Sequence, residues 1–503
     1  MQPASTGDLQ KERMNAPTLN DAALPHAAAA AADVAVRAAV ASGIRRLTDW
    51  AAGHRLPGRD GGNPLAAFPA AIAVRAARVI GDNLAAALAA SPEPEVGRVH
   101  RQLVRRGGTP ECTLLADPPL RTDRFSAALG NGIAGSWCEL DEGYRLAPCH
   151  AGLYTLPALW AEAEAGGLSV AEVLACAVLA YEVTGRFAAC WIFPQMTLHP
   201  HPQTAAIGGA IATTLARRAD SALTHQAVTA SSTLVTVGGY EHALHGALVR
   251  NVWAAVGTAN GMRAADWAEC GLGGLADGAY DVFTTLLGQP ADPSALVDGL
   301  GETWAIGSGY HKVHACCQST HSAVEATQAA MAQLPPGRSH ADVESVLLET
   351  HRPQMSNPRP GTTLAARFSF EHVLATVQVH GHAGADAFAA ATLDDPAVVR
   401  LRERIRLEPY APVRPRPLDR PARVTLTLAD GSQFTGECLS ARGGPDRPFD
   451  DAQIRAKAQG ITGTRHPHFV ESVAALESLD AAVLARPWSE WIASALSRDV
   501  MCR

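Results

Sequence analysis

Ser169-Val170-Ala171-Glu172 opens the stretch SVAEVLACAVLAYEVTGRF (Ser169–Phe187), and its reading sets the fold class. The S-x-x-E spacing is that of a capping box, in which serine and glutamate satisfy each other's backbone N–H at a helix start. Leu174, Val178 and Tyr181 then recur at helical spacing along one face. Outward from this helix, from about His26 to Leu300, Gly and Pro punctuate further helical segments. One is expected from Pro64 to about Ala90, after Gly61-Gly62-Asn63, and another from Ile207 to Arg218. Aromatic residues make up only 5% of the chain and alanine is abundant, which favours helix because alanine loses no side-chain entropy there.

After Gly307 the period changes. A helix is expected from about Ser322 to Leu334, then Pro335-Pro336-Gly337, then a strand from Val343 to His351. In Arg423–Leu428, Val424, Leu426 and Leu428 alternate with Thr425 and Thr427, and Asp430-Gly431 supplies a hairpin turn before Gln433-Phe434-Thr435. Pro409–Pro421 reads as a linker or edge segment. Helices return from Asp450 to Gly460 and from His468 onward. The expected fold is mainly α. A disordered tail (1–25) precedes a large all-α helical domain (26–307), a smaller α+β lid domain (308–447) and a helical return to the first domain (448–503).

At 503 residues the chain is enzyme-sized, and 47% hydrophobic with 18% charged residues is a globular composition. Its net charge of −7 offers no field to hold a polyanion, so nucleic acid is not expected as a partner. Of ten cysteines only Cys316 and Cys317 are close in sequence, and no CxxC pair suggests a zinc or redox motif. The thiols read as reduced, the N-terminus lacks a signal-peptide core, and Met14 is a candidate start, so a cytoplasmic protein is expected. The longest stretch without acidic or basic residues, Ser221–Tyr240, is rich in Ser, Thr and Gly, and no membrane segment is expected.

Three constellations could carry chemistry. Lysine is nearly absent, with Lys11, Lys312 and Lys457 the only three. Lysine offers a compact, titratable ammonium where arginine offers a planar, permanent charge. Lys312 lies in YHKVHACC (310–317), followed by His321; taken alone it also reads as a solvated surface lysine. Asn131–Arg145 contains Glu139, Asp141 and Glu142, three carboxylates that need solvent, a helix start or a neighbouring cation, and Cys149-His150 follows. His199-Pro200-His201-Pro202 leads through Gly208-Gly209 into a helix, whose N-terminus also favours anions. His199 and His201 lack partners at zinc-site spacing, and no metal site is expected.

Together these pieces resemble the MmgE/PrpD family. The resemblance is carried by NGIAG, ELDEG and the following histidine, by LPALWAEAEAGGLSVAEVLACAVLAYEVTGRF, by HPHPQTAAIGGAIATTLARRAD, and further on by NVWAAVGTANGMRAADWAECGLGG, YHKVHACCQSTH and AARFSFEHVLA. The family includes 2-methylcitrate dehydratase, cis-aconitate decarboxylase and iminodisuccinate epimerase. The resemblance implies a helical domain with an α+β lid, usually a homodimer, with the site in the cleft between domains. It implies His150 and His199 as proton donors or acceptors, Lys312 as the lid-opening lysine, and Glu139 and Asp141 as the acidic residues of the first motif. Arg145 and His321, which end the two motifs, join the expected substrate contacts. Three positions depart from the dehydratase and decarboxylase pattern. Arg250 stands for a substrate-contacting lysine, His372 for a tyrosine after the F-S motif, and Cys317 for a later lid histidine. The ELDEGYRLAPCHAG run lies closer to the epimerase side.

The resemblance implies a cofactor-independent lyase or isomerase moving a proton next to a carboxylate of a small di- or tricarboxylate. Arginine would hold the acid through paired hydrogen bonds, and an imidazole would give or take the proton. Two other readings stand beside it. One is a small-acid binding protein without activity, the other a thiol or metal enzyme using Cys316 and Cys317.

Overall fold

A computed structural model describes residues 19–54, 62–192 and 197–498. The capping box forms as expected, with the Ser169 N–H donating to Glu172 at 2.8 Å and the Glu172 N–H to Ser169 Oγ at 3.3 Å. The helix it opens, Val170–Cys190, is long and apolar enough to cross a membrane, yet 94% of its apolar window is buried inside the fold. It is the central core helix, covered on every side rather than on the single face that its spacing suggested.

Around it the helices are closely packed. Ala70–Ala89 begins only after Pro69, so the expected 64–90 helix is split into a 3₁₀ turn, Pro64–Ala67, and an α-helix. His201–Ala216 starts six residues earlier than Ile207. Pro202 sits in its first turn, where a missing N–H costs nothing. Gly208 and Gly209 therefore lie within the helix, and a Cβ on Gly209 would stand 2.1 Å from the Thr258 carbonyl oxygen. Glycine lets this helix approach Trp253–Glu269 backbone to backbone. The helical part is not all-α. A short antiparallel ladder pairs β1 (Cys112–Leu114) with β2 (Leu120–Thr122), and another pairs β3 (Gly143–Tyr144) with β4 (Gly309–Tyr310).

Beyond Ser308 a four-stranded sheet forms in the order β6-β5-β7-β8. β5 (Val343–Thr350), β7 (Ala422–Leu428) and β8 (Gln433–Cys438) are the expected strands and pair antiparallel. In β7 the residues Ala422, Val424, Leu426 and Leu428 are buried, as the alternation requires. β6 (Ile405–Pro409) is a parallel edge strand that ends where the proline-rich stretch begins. The helix His321–Met331 packs on β7 and β8 of this sheet, and Phe370–His380 packs on that helix.

Asp450 caps Asp451–Thr462 in a second capping box, with Gln453 as its partner. Arg78 on the Ala70–Ala89 helix pairs with Asp451 at 2.7 Å, which docks the C-terminal helices on the first part of the chain. At the other end, residues 1–18 of the expected tail lie outside the described residues. Leu19 to Pro25 are already helical, in Leu19–Gly53.

Candidate active site

The β3–β4 ladder brings the ELDEG motif against YHKVHACC. Gly143 is essential to it, because a Cβ there would stand 2.3 Å from Tyr310 Oη. The motif leaves the helix Arg124–Trp137 through Cys138 and turns at Glu139, whose φ of 54° is left-handed. Glu142, fully buried, accepts from Tyr181 Oη at 2.8 Å and from the Gly152 N–H at 2.7 Å. It thus covers the N-terminus of the helix Ala151–Gly166, at whose N-cap His150 sits. Burial pushes the Glu142 carboxyl up to about 7, against the hydrogen bonds from Tyr181 and Gly152.

Lys312 is buried without exposed surface, its Nζ 3.5 Å from Glu139 Oε2 and 3.4 Å from Asp141 Oδ1. Burial alone would lower its pKa, but Asp141 and Glu139 outweigh that and hold the ammonium charged. Burial likewise opposes the charge of Asp141, yet Lys312, His150 and Arg250 keep this carboxyl well below the usual range. His150 Nδ1 lies 2.6 Å from Asp141 Oδ2 and donates to the Glu142 carbonyl at 2.9 Å. Both neighbours only accept, so Nδ1 carries the hydrogen and Nε2 is left to exchange a proton.

Arg250 pairs through Nη1 with Glu139 at 2.5 Å, donates from Nε to His199 Nε2 at 3.2 Å, and lies over the Phe368 ring at 5.1 Å. Burial and the nearby Arg250 hold His199 well below its ordinary value, so its imidazole is neutral. Both of its ring nitrogens face donors, Nε2 the permanently charged Arg250 and Nδ1 the His201 backbone N–H at 3.3 Å, so neither is left open to the cavity.

These groups line a cavity of about 220 Å³. That is below the ~300–1,000 Å³ of drug-sized sites and suits a metabolite-sized molecule. Five cations line it, Arg250, Lys312, Arg352, Arg416 and Arg420, against two carboxylates, Glu139 and Asp419. Tyr144, Tyr240, Tyr310, His351 and Cys317 complete much of the wall. Burial pushes the Tyr310 hydroxyl well up, so it is a hydrogen-bond donor at neutral pH.

The MmgE/PrpD N-terminal domain model matches residues 62–286, and the MmgE/PrpD C-terminal domain model matches residues 314–478. The chain belongs to the MmgE/PrpD family. It is 24% identical over 365 residues to the cis-aconitate decarboxylase-like protein oryM of Aspergillus oryzae, covering 66% of this chain and 74% of that protein. It is also 24% identical over 367 residues to the cis-aconitate decarboxylase of Aspergillus terreus, covering 68% and 71%.

Of the residues that the family resemblance marked, His150, His199, Lys312, Glu139, Arg250 and Cys317 line the cavity, and Asp141 stands directly behind Lys312 and His150. The others are placed differently. His372 is buried outside the lining on the helix Phe370–His380, its Nδ1 accepting from Arg402 at 3.3 Å, so it does not replace the family tyrosine as a reacting group. His321 contacts the Cys316 carbonyl at 3.2 Å and the His314 ring, away from the cavity. Arg145 pairs with Asp419 and donates to the Pro417 carbonyl at 3.1 Å, so it orients the cavity wall rather than lining it. Glu139 and His199 hold Nη1 and Nε of Arg250, so these two nitrogens are already engaged within the protein.

Sequence reading missed Arg352, and it missed Arg416, Asp419 and Arg420 in the stretch taken as a linker. The signal was there, in arginines alternating with prolines over Val413–Pro421. His201 was also passed over. It donates to or accepts from Tyr154 Oη at 2.8 Å, and its ring lies 4.3 Å from that of His199 and 5.0 Å from that of His150. Among the described residues no cluster of three or more His, Cys, Asp or Glu is placed to hold a metal ion. Burial pushes the Cys316 thiol up to about 12, which leaves almost no nucleophilic thiolate at neutral pH.

Proposed function

We propose that this protein is a cofactor-independent lyase or isomerase that transfers a proton at the carbon next to a carboxylate of a small polycarboxylate, with a cis-aconitate-type tricarboxylic acid as the favoured substrate. The observation that carries this reading is the excess of cations over carboxylates in a metabolite-sized cavity, set beside one oriented imidazole. The guanidinium groups of Arg352, Arg416 and Arg420 hold the outer carboxylates. Lys312 and the free edge of Arg250 stand where negative charge builds up on the substrate, and preplaced cations in a dry site stabilise such charge without reorganising. His150 Nε2 takes the proton when one is removed and returns it when one is added, with Asp141 holding the ring. In decarboxylation the bond to the departing carboxylate breaks, carbon dioxide leaves, and its electron pair passes into the carbon framework, which accepts a proton from His150. Dehydration and epimerisation share the proton step. The names of the relatives favour decarboxylation.

The test is proton NMR of the purified protein with cis-aconitate, citrate and aspartate-derived acids in deuterated water. Consumption of one acid with deuterium entering a single carbon is the expected result. Binding of an acid without exchange or consumption of any would reduce the protein to a binder and overturn the reading.

A further inference from the structure

The two lysines among the described residues approach the same short segment from opposite sides. Lys312 contacts the side chains of Glu139 and Asp141, as described above. Lys457, on the helix Asp451–Thr462, donates to the carbonyl of Leu140, the residue between them, at 2.8 Å, and to Asp82 Oδ1 at 2.6 Å. The other oxygen of Asp82 lies 2.9 Å from Nδ1 of His311, the neighbour of Lys312. One carboxylate on the Ala70–Ala89 helix therefore ties down both chain segments that carry the cationic and acidic groups of the site. Burial brings the His311 imidazole down to about 4, so it is neutral and donates to Asp82 through Nδ1–H. The charges of Lys457 and Asp82 then balance, with both side chains nearly inaccessible.

These segments need such a tie. Cys138, Leu140 and Val313 line a second cavity, of about 680 Å³, while their chain neighbours Glu139 and Lys312 line the first. The strip Cys138–Leu140 is buried yet borders both cavities, and Glu139 sits in a left-handed conformation that persists only where the surroundings impose it. Lys457, 317 residues away in sequence, holds the Leu140 C=O of this strip. An ammonium, with its compact set of three donors, joins a carboxylate and a carbonyl here.

We infer that Lys457 is a positioning residue for the proton-transfer cluster. It acts through the Leu140 carbonyl and Asp82, and does not touch substrate. The inference rests on the proposed function for its kinetic readout, and the test includes a second readout that does not. The chain has three lysines, so ¹⁵N-lysine labelling gives few ammonium signals, and Lys312→Met assigns that of Lys312. In Lys457→Met, cis-aconitate binding measured by calorimetry stays unchanged. Its kcat falls about 10- to 100-fold, the usual effect of losing a residue that orients a reacting group. The Lys312 signal moves, although Lys457 is not its neighbour. The double variant Lys457→Met/Asp82→Asn removes the uncompensated buried charge; it recovers the melting temperature but neither kcat nor the Lys312 signal.

Wild-type kcat in Lys457→Met, or kcat returning with the melting temperature in the double variant, would overturn the inference, since Lys457 would then be structural only. If Lys457→Met does not fold, the double variant gives the same two readouts. If the wild-type protein consumes no polycarboxylate, the functional reading fails while the Lys312 signal still decides. A displaced signal upholds the tie, and an unmoved one overturns it.

Discussion

Lys312 cannot serve as a base, because two buried carboxylates hold it charged; its contribution is a fixed positive charge. Lys312→Met should lower kcat by about 10²–10³, the usual effect of removing one electrostatic stabiliser. It should also destabilise the protein by about 3–5 kcal/mol, because Glu139 and Asp141 keep their charge without their partner. Steady-state kinetics on the folded variant, alongside urea melts, separates the two effects, and undiminished kcat/KM would take the lysine out of the chemistry. Two of the three cavity histidines, His150 and His199, should differ. His150→Gln removes the lone pair that Asp141 and the Glu142 carbonyl orient for proton exchange and should lower kcat by about 10²–10⁴. His199→Gln keeps an acceptor for Arg250 and should raise KM with kcat changed far less. Equal losses of kcat in both would restore to His199 the proton role that the family resemblance gave it.

Elements whose pattern spans several periods were legible in the sequence. The Val170–Cys190 helix, marked by its capping box and its length, and the strand Ala422–Leu428, marked by alternating burial, are examples. Two- and three-residue strands write nothing, which is why β3 and β4, the ladder that assembles the site, could not be read. The acidic motif, His150 and Lys312 were legible as chemistry because their residue types are costly to bury. Arg416 and Arg420 were not, because a proline-rich stretch with no periodicity gives no hint of the wall it runs along. Which of His199 and His201 reaches the cavity depends on the first turn of a helix, below the resolution of pattern reading. Glycines mark the same boundary. Gly209→Ala should cost about 1–3 kcal/mol by overpacking against Thr258. Gly460→Ala, in a helix with open space around the added methyl, should gain about 0.5–1 kcal/mol. Urea midpoints moving in the same direction would contradict the helix contact.

Across the whole molecule, buried neutral histidines set the response to acid. Burial brings His311 and His372 down to about 4 and His351 to about 3, and it holds His199, His201 and His321 well below their ordinary value. In the unfolded chain each would take up a proton near pH 6.5. Between about pH 6.5 and 4 the unfolded state therefore binds more protons than the folded one, and stability is lost as pH falls, by about 1.4 kcal/mol per pH unit for each such histidine. Asp141 extends the loss to lower pH, because its depressed carboxyl stays charged in the fold until well below the unfolded value. Glu142 acts the other way. Raised to about 7, it takes up a proton in the folded state first and favours the fold as pH falls through that value. One carboxyl set against several histidines leaves the net sign unchanged. The melting temperature should therefore fall by on the order of 10 °C between pH 7 and 5. His372→Gln, which keeps an acceptor for Arg402, should reduce the proton uptake on unfolding at pH 5 by about one. A melting temperature that stays flat over this range would mean that these imidazoles are solvated or paired in the folded protein, and the dry, neutral histidine environment around the site would have to be abandoned.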